Sequence, residues 1–197
     1  MARTKKAMRL DELAAQIRVC VKCPLHESRT NAVPGDGKYS AKFMIIGEAP
    51  GKEEDLSGHP FVGASGKFLN NVLEGTGLDR NDFFITNTVK CRPPKNRTPK
   101  KSEVDVCTTT YLFEQIELIN PRLIMLLGGV AAKTVLGVKS VGEARGKVIE
   151  RNNRIYIVGY HPAVRFYRED LAEKVREDFS LLKREITRLK NSGRKPV

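Results

Sequence analysis

A carboxylate follows an apolar segment near the start of the chain, at a position where a strand would end. Residues 43–46, FMII, are followed by GEAPG, so that Glu48 lies among two glycines and a proline. A carboxylate on a tight turn is either part of that turn or a positioned chemical group, such as a general base. Glu48 is therefore the first candidate catalytic residue.

Two more polar residues hold the same place after other apolar segments. Asn87 follows the segment FFIT, and His161 and Pro162 come just after the segment IYIVG. Ligands of parallel α/β sheets bind outside the carboxyl ends of the strands, so Glu48, Asn87 and His161 are predicted to meet at one edge. Taken singly, Asn87 could be a turn cap and His161 a structural histidine.

The four cysteines predict a metal centre. Cys20 and Cys23 form the motif CVKC, whereas a proline-rich loop and the start of a predicted helix separate Cys91 from Cys107. Four thiols in a reducing compartment, with one C-x-x-C motif, favour metal binding. The irregular spacing suits an iron-sulfur cluster better than a zinc ribbon, although spacing alone leaves zinc open. Cys91 and Cys107 could also be ordinary buried thiols.

The glycine-rich stretch GHPFVGASGK at 58–67 is only superficially similar to a phosphate-binding loop. It lacks the pattern G-x-x-x-x-G-K-[ST], and no G-x-G-x-x-G motif follows a predicted strand. Nucleotide hydrolysis is therefore poorly supported. Phe61, within this stretch, could stack on a nucleic-acid base or anchor the loop in the core. No Cys-His or Ser-His arrangement indicates nucleophilic catalysis.

Alternating strand and helix patterns connect these residues. Buried strands are predicted at residues 43–47, 83–86, 123–127 and 155–159. Helices are predicted at residues 10–17, 66–74, 98–119, 129–137 and 171–189. Thr98, followed by a proline, is the expected N-cap of the third helix. This alternation implies an α/β fold with a mostly parallel sheet covered by helices on both faces.

Length and charge limit the class of protein further. The 197 residues suit one domain, predicted to span residues 1–190 and to be followed by a disordered basic tail at 191–197. The chain has 35 Lys and Arg against 23 Asp and Glu, a formal charge of +12, which predicts a nucleic-acid partner, although a soluble basic protein would look similar. No stretch approaches the ~20 apolar residues of a membrane span, and no secretory leader is recognised, so a cytoplasmic location is predicted.

The motifs GEAPGKEED, GHPFVGASG, TNTVKCRPP and YHPA, together with the four cysteines, closely resemble those of the family 4 uracil-DNA glycosylases. The resemblance covers residues 20–179, nearly the whole predicted domain. It implies a three-layer αβα sandwich around a four-stranded parallel sheet and a 4Fe-4S cluster held by the four cysteines. It also implies monofunctional hydrolysis of the bond that joins uracil to deoxyribose in DNA, the first step of base excision repair. The family is found in thermophilic archaea and bacteria, which implies a prokaryotic, nucleoid-associated enzyme.

The resemblance also implies a role for individual residues. Phe61 would stack on a flipped-out uracil, Asn87 would read its 4-carbonyl and ring N–H, and His161 would donate to its 2-carbonyl. Glu48 would hold or deprotonate the attacking water. The backbone at Ala49 would line the uracil pocket.

Further residues are implied to exclude thymine and to contact DNA. Glu54 matches the position proposed to crowd the thymine methyl group. Arg92 and Arg97 would meet phosphates, although a solvated loop would look the same. A loop of four residues would enter the minor groove and fill the gap left by the flipped base: Ala163, Val164, Arg165 and Phe166.

Two other classes of function stay open from the residues alone. One is an iron-sulfur or zinc DNA-binding module without catalysis, and the other is a redox protein with a nucleotide or flavin cofactor, for which the chain lacks a fingerprint. The expected partner is uracil-containing DNA, bound by a monomer without a membrane, magnesium or nucleotide. No sliding-clamp peptide is recognised in the sequence.

Overall fold

Five strands form the central sheet of the computed structural model, which describes residues 4–193. They are β1 (Phe43–Gly47), β2 (Phe83–Asn87), β3 (Leu123–Leu127), β4 (Val148–Arg151) and β5 (Arg154–Gly159). The strand order is β2-β1-β3-β5-β4, and the first four strands in that order are parallel. These four are the predicted strands, so the α/β fold with a mostly parallel sheet is confirmed, but the sheet has five strands instead of the four expected.

The fifth strand, β4, was not predicted. It pairs antiparallel with β5, and the two strands are joined by Asn152 and Asn153, whose φ angles are 50° and 59°. Asparagine tolerates this left-handed conformation, which two-residue hairpin turns require. The asparagine pair was therefore a hairpin signal in the sequence. The strand escaped detection because its side chains are mostly exposed and lack an apolar run.

Eight helices surround the sheet within the described residues. They are α1 (Lys5–Arg18), α2 (Lys52–Ser57), α3 (Ala64–Gly75), α4 (Lys101–Cys107), α5 (Phe113–Ile119), α6 (Gly129–Leu136), α7 (Val141–Ala144) and α8 (Asp170–Asn191). Alternate residues of the strands point to opposite faces. Odd-numbered residues such as Ile45 and Met125 pack against α3 and α8, and even-numbered residues such as Ile46 and Leu126 pack against α1, α5, α6 and α7. The result is the expected three-layer sandwich.

The third predicted helix begins later than expected and is interrupted. Thr98 is not its N-cap; α4 begins at Lys101, with Lys100 in the capping position. The reason is the buried carboxylate of Glu103, which accepts the Lys100 N–H at 2.7 Å and a bidentate contact from Arg97 at 2.7 and 2.9 Å. A π-helical turn at Thr108–Leu112 then separates α4 from α5.

The last helix, α8, carries the predicted apolar stripe and ends at Asn191, the first residue of the predicted tail. Its buried residues include Val175, Phe179 and Leu182. Ser192 is the C-cap of this helix, and residues 194–197 of the predicted tail lie outside the described residues. None of the helices in the described part of the chain is long and apolar enough to cross a membrane.

Candidate active site and cysteine site

A cavity of about 490 Å³ opens at the carboxyl ends of β1, β2 and β5. The predicted site residues that line it are Glu48, Ala49, Glu54, Phe61, Asn87, Arg97, His161, Ala163, Val164 and Phe166. Lys52, Glu53, Ser65, Pro93, Asn96 and Tyr167, which were not predicted, also contribute to its wall. The parallel register puts Gly47 opposite Asn87, which explains why the residues after these strands meet.

Asn87, which lines this cavity, has an unused hydrogen-bond acceptor. Its side chain is only 2 % exposed, and its Oδ1 atom has no hydrogen-bond partner among the described residues. A buried polar atom without a partner is costly in a folded protein, by roughly 1–3 kcal/mol. Such an atom at a cavity wall indicates that a ligand donates to it.

The pocket floor depends on the missing side chain of Gly47. A Cβ atom at this position would lie 2.6 Å from Cζ of Phe61 and would overlap Oδ1 of Asn87. Only glycine therefore lets the aromatic ring and the amide approach each other. The role of Gly47 was not predicted, although a glycine directly after an apolar run is a usual signal of close packing.

Phe61 is held in an unusual backbone conformation beside His161. Its φ angle is 53°, and its ring centroid lies 5.7 Å from that of His161 at an interplanar angle of 30°. Helix α3 approaches so closely that a Cβ atom on Gly66 would overlap the main chain of Phe61. A bulky residue with positive φ is strained, and such strain persists where the surroundings fix it.

Glu54 fixes the loop that carries Phe61. Its Oε1 atom accepts the N–H groups of Val62 at 2.9 Å and Gly63 at 2.8 Å, and its Oε2 atom accepts the N–H of Gly51 at 3.0 Å. The carboxylate thus connects the turn after β1 to the aromatic loop. The observed contacts of this carboxylate are those of a positioning residue; exclusion of thymine by Glu54 stays a prediction.

His161 has a defined proton position. Its Nδ1 atom accepts the N–H of Ala163 at 3.2 Å, so the neutral ring carries its proton on Nε2. Burial lowers the pKa of His161 to about 4, which keeps the ring neutral at physiological pH. The preceding residue, Tyr160, donates its N–H to the buried carboxylate of Asp178 at 3.0 Å, which fixes the end of β5.

Glu48 lies half-buried at the cavity wall. Burial raises the pKa of its carboxyl group above the ordinary value. Its main-chain oxygen accepts the N–H of Val89 at 3.1 Å, so the turn that carries Glu48 is tied to the segment that follows Asn87. A carboxylate with a raised pKa inside a cavity is suited to accept a proton from water.

The residues predicted to contact DNA differ in their surroundings. Phe166 is 50 % exposed at the cavity rim, and Arg165 stacks over Phe68 at 4.7 Å. Arg92 does not line the cavity; it donates from Nε to Oδ1 of Asn96 at 2.7 Å. Arg97 lines the cavity, but its guanidinium forms an ion pair with Glu103. This contact supports a role for Arg97 in holding the loop.

All four cysteines line a second, smaller cavity, between the start of the chain and the segment after β2. Arg29 donates from a guanidinium nitrogen to Sγ of Cys91 at 3.0 Å, and the main-chain N–H of Lys90 donates to Sγ of Cys107 at 3.3 Å. Burial raises the pKa of Cys107 to about 12. Within residues 4–193, no group of three or more His, Cys, Asp or Glu side chains has the arrangement of a single-metal site.

Lys90 lies between the two cavities and was not predicted. Its side chain is 1 % exposed, and its ammonium group donates to Oγ1 of Thr86 at 2.7 Å and to the main-chain oxygen of Asn87 at 2.8 Å. A lysine within the otherwise uncharged segment FFITNTVKC was the available signal. Charged side chains are almost never fully buried without a partner.

The chain is similar in sequence to several known proteins. A family model described as the uracil DNA glycosylase superfamily matches residues 34–186. A type-4 uracil-DNA glycosylase from Archaeoglobus fulgidus is 43 % identical over 179 residues, which cover 86 % of this chain and 89 % of that protein. One from Saccharolobus solfataricus is 43 % identical over 188 residues, covering 90 % and 87 %. One from Thermotoga maritima is 40 % identical over 157 residues, covering 78 % and 81 %.

Proposed function

Since the chain belongs to the uracil DNA glycosylase superfamily, we propose that it is a monofunctional uracil-DNA glycosylase. It hydrolyses the bond between uracil and deoxyribose and leaves free uracil and an abasic site in DNA. The single observation that carries this proposal is the buried, unpartnered Oδ1 atom of Asn87, a residue that lines the same cavity as Glu48 and His161. Genomic DNA is the substrate, so the enzyme works in the prokaryotic cytoplasm.

Uracil recognition uses the amide of Asn87 and the ring of Phe61. The Oδ1 atom accepts the N3–H of uracil, and the amide NH₂ group donates to the 4-carbonyl. Cytosine presents an acceptor at N3 and a donor at C4, so it would leave buried polar groups unpaired. The Phe61 ring stacks on the flipped base, and the strained loop holds the ring in place before uracil arrives.

Bond cleavage uses His161 and Glu48. The C1′–N1 bond breaks with its electron pair moving to uracil, and the Nε2–H group of His161 donates to the 2-carbonyl, where negative charge develops. A positioned donor of this kind contributes about 3 kcal/mol to the transition state. Water forms the new bond to C1′, and its proton passes to Glu48; uracil is finally protonated at N1 by solvent.

The four cysteines fit a 4Fe-4S cluster. All four line one cavity, and N–H groups donate to the sulfur atoms of Cys91 and Cys107, as around a thiolate-held cluster. When bound, the cluster supplies a structural link and takes no part in hydrolysis. It joins the segment with Cys20 and Cys23 to the segment that follows Asn87. Absorption near 400 nm and an iron assay distinguish this cluster from the zinc alternative.

The DNA interface surrounds the cavity mouth. Phe166 is exposed at the rim, and Arg165, stacked over Phe68, keeps its charge at the same surface. We propose that residues 163–166 enter the minor groove and fill the gap that the flipped nucleotide leaves. Arg92 contacts a DNA phosphate. The main role of Arg97 is to hold the adjoining loop through Glu103, and its contact with the DNA backbone is secondary.

The test is uracil release from labelled duplexes that contain a single U, T or C opposite G, without magnesium or nucleotide, followed by alkali. We expect strand cleavage only at U and only after alkali. Glu48→Gln and Asn87→Ala should lose activity, whereas Glu53→Gln, which changes another carboxylate of the same cavity, should retain it. No alkali-labile site in any duplex, from protein with a full complement of iron, would refute the proposed activity.

A further inference from the structure

The ammonium group of Lys90 is a buried charge without a carboxylate partner. Its side chain is 1 % exposed, and its two contacts, Oγ1 of Thr86 and the main-chain oxygen of Asn87, are neutral. No ion pair between Lys90 and Asp or Glu occurs among residues 4–193. Burying an ion without a compensating charge is unfavourable, so a compensating interaction is needed to maintain this arrangement.

The compensating charge comes from the cysteine site. Lys90 interacts electrostatically with Cys107 and Cys91, and its own main-chain N–H donates to Sγ of Cys107 at 3.3 Å. Thiols that hold a metal are deprotonated. A loaded cysteine site therefore places negative sulfur atoms within electrostatic range of the ammonium group.

The same ammonium group of Lys90 also supports the base-reading residue. β2 is the edge strand of the sheet, and the N–H of Thr88 donates to Gly47 of β1 at 2.9 Å. The peptide between Asn87 and Thr88 consequently directs the Asn87 carbonyl away from β1, to the side of β2 where the sheet of residues 4–193 has no further strand to supply a donor. The ammonium of Lys90 supplies it at 2.8 Å.

We infer that Lys90 is a positioning residue that connects the cysteine site to the uracil-reading amide, a conclusion that rests on the proposed function. The thiolates hold the main chain and the charge of Lys90, and the ammonium holds the main chain of Asn87. Asn87 is thereby fixed on both sides, by β1 and by Lys90, before uracil enters. This arrangement explains why a hydrolase has a metal centre beside the strand that reads the base.

The test compares Lys90→Met with Lys101→Met, which removes a charge from an exposed lysine. Three quantities are measured for each variant: iron per molecule, the single-turnover rate of uracil release per iron-loaded molecule, and affinity for duplexes with 2′-fluoro-deoxyuridine or thymidine. Because a misplacement of 1 Å lowers a rate about 100-fold, we expect Lys90→Met to react roughly 10- to 100-fold more slowly. We also expect it to lose most of its preference for the uracil duplex, with affinity for the thymidine duplex unchanged.

A double-mutant cycle separates positioning from a general structural effect. In an Asn87→Ala background, Lys90→Met should cause little further loss, because the amide that Lys90 positions is already absent. An equal loss in both backgrounds, or a wild-type rate in Lys90→Met, would overturn the inference. Lys90→Gln keeps one donor and should react faster than Lys90→Met; if it reacts no faster, the inference also fails. A wild-type protein that neither cleaves nor prefers uracil would instead refute the proposed function.

Discussion

Replacing Gly47 by alanine tests whether the pocket depends on close approach of its two recognition groups. The φ angle of Gly47 is not in the left-handed region, so alanine causes no backbone strain. The added methyl group would lie 2.6 Å from Cζ of Phe61 and overlap Oδ1 of Asn87. Contacts shorter than 3.0 Å are essentially never seen for real Cβ atoms, so the ring or the amide has to move.

The size of the effect follows from that displacement. Ordinary carbon contacts begin near 3.5 Å, so the ring of Phe61 has to retreat by roughly 1 Å. A displacement of 1 Å at a reacting site lowers the rate about 100-fold, equivalent to about 2.7 kcal/mol. Overpacking costs about 1–3 kcal/mol of stability, and a protein of this size loses about 2–4 °C of Tm per kcal/mol.

The assay is kcat/KM for uracil release from a U:G duplex, with Tm measured in parallel. The matched control is Gly129→Ala, on the same edge of the sheet, where an added Cβ atom meets no atom within 4 Å. We expect Gly47→Ala to lose about 100-fold in kcat/KM while Gly129→Ala stays within twofold of wild type. Wild-type kcat/KM in Gly47→Ala would refute the assigned pocket floor.

Four more outcomes are expected. Because burial raises the pKa of Glu48, kcat/KM should fall with decreasing pH through that pKa, and the residual rate of Glu48→Gln should lack this limb. His161 has a folded-state pKa of about 4 and an ordinary value of 6.5, so the unfolded state binds more protons between these pH values. Its contribution should therefore decrease the free energy of unfolding as the pH falls from 6.5 to 4, and urea titrations of His161→Gln should show a weaker decrease. Cys107→Ser should lose iron and absorption near 400 nm, because the change removes a cluster ligand. If Cys107 were only a buried thiol, the variant would keep both. Arg97→Met should leave the buried Glu103 unpaired and lower Tm by roughly 5 °C, whereas a change of DNA affinity alone would contradict the loop-holding role.

The sheet could be predicted because its central strands are continuous apolar runs. Segments such as FMIIG and LIMLL are buried at every residue, which is typical of parallel strands covered on both faces. β4 has no such run, since its side chains are mostly exposed, and only the two asparagines of its turn marked it. The start of α4 could not be predicted from the local sequence either. The contact between the buried Glu103 and Arg97 overrides the preference of Thr98 for the capping position.

The candidate site could be located because polar residues directly follow strands. That rule placed Glu48, Asn87 and His161 at one edge, and the structure brings all three to one cavity. The contacts that orient them depend on residues distant in sequence or on backbone groups. Lys90 acts through a main-chain oxygen, and Asp178 reaches Tyr160 from a helix 18 residues away. No local pattern encodes such contacts, so only the folded chain reveals them.

The three hydrogen bonds of Glu54 have a consequence for the energetics of base flipping. One carboxylate connects Gly51, next to the catalytic turn, to Val62 and Gly63, next to the stacking ring. The two loops are therefore held together as one unit. The protein consequently needs little further ordering when uracil enters the pocket. The main barrier then lies in the DNA, in separating the base from its neighbours and its partner. A pocket that is preorganised in this way favours bases that are weakly held in the duplex. A mispaired uracil is already loosened in the duplex, so it reaches Asn87 more often than a uracil in a stable pair.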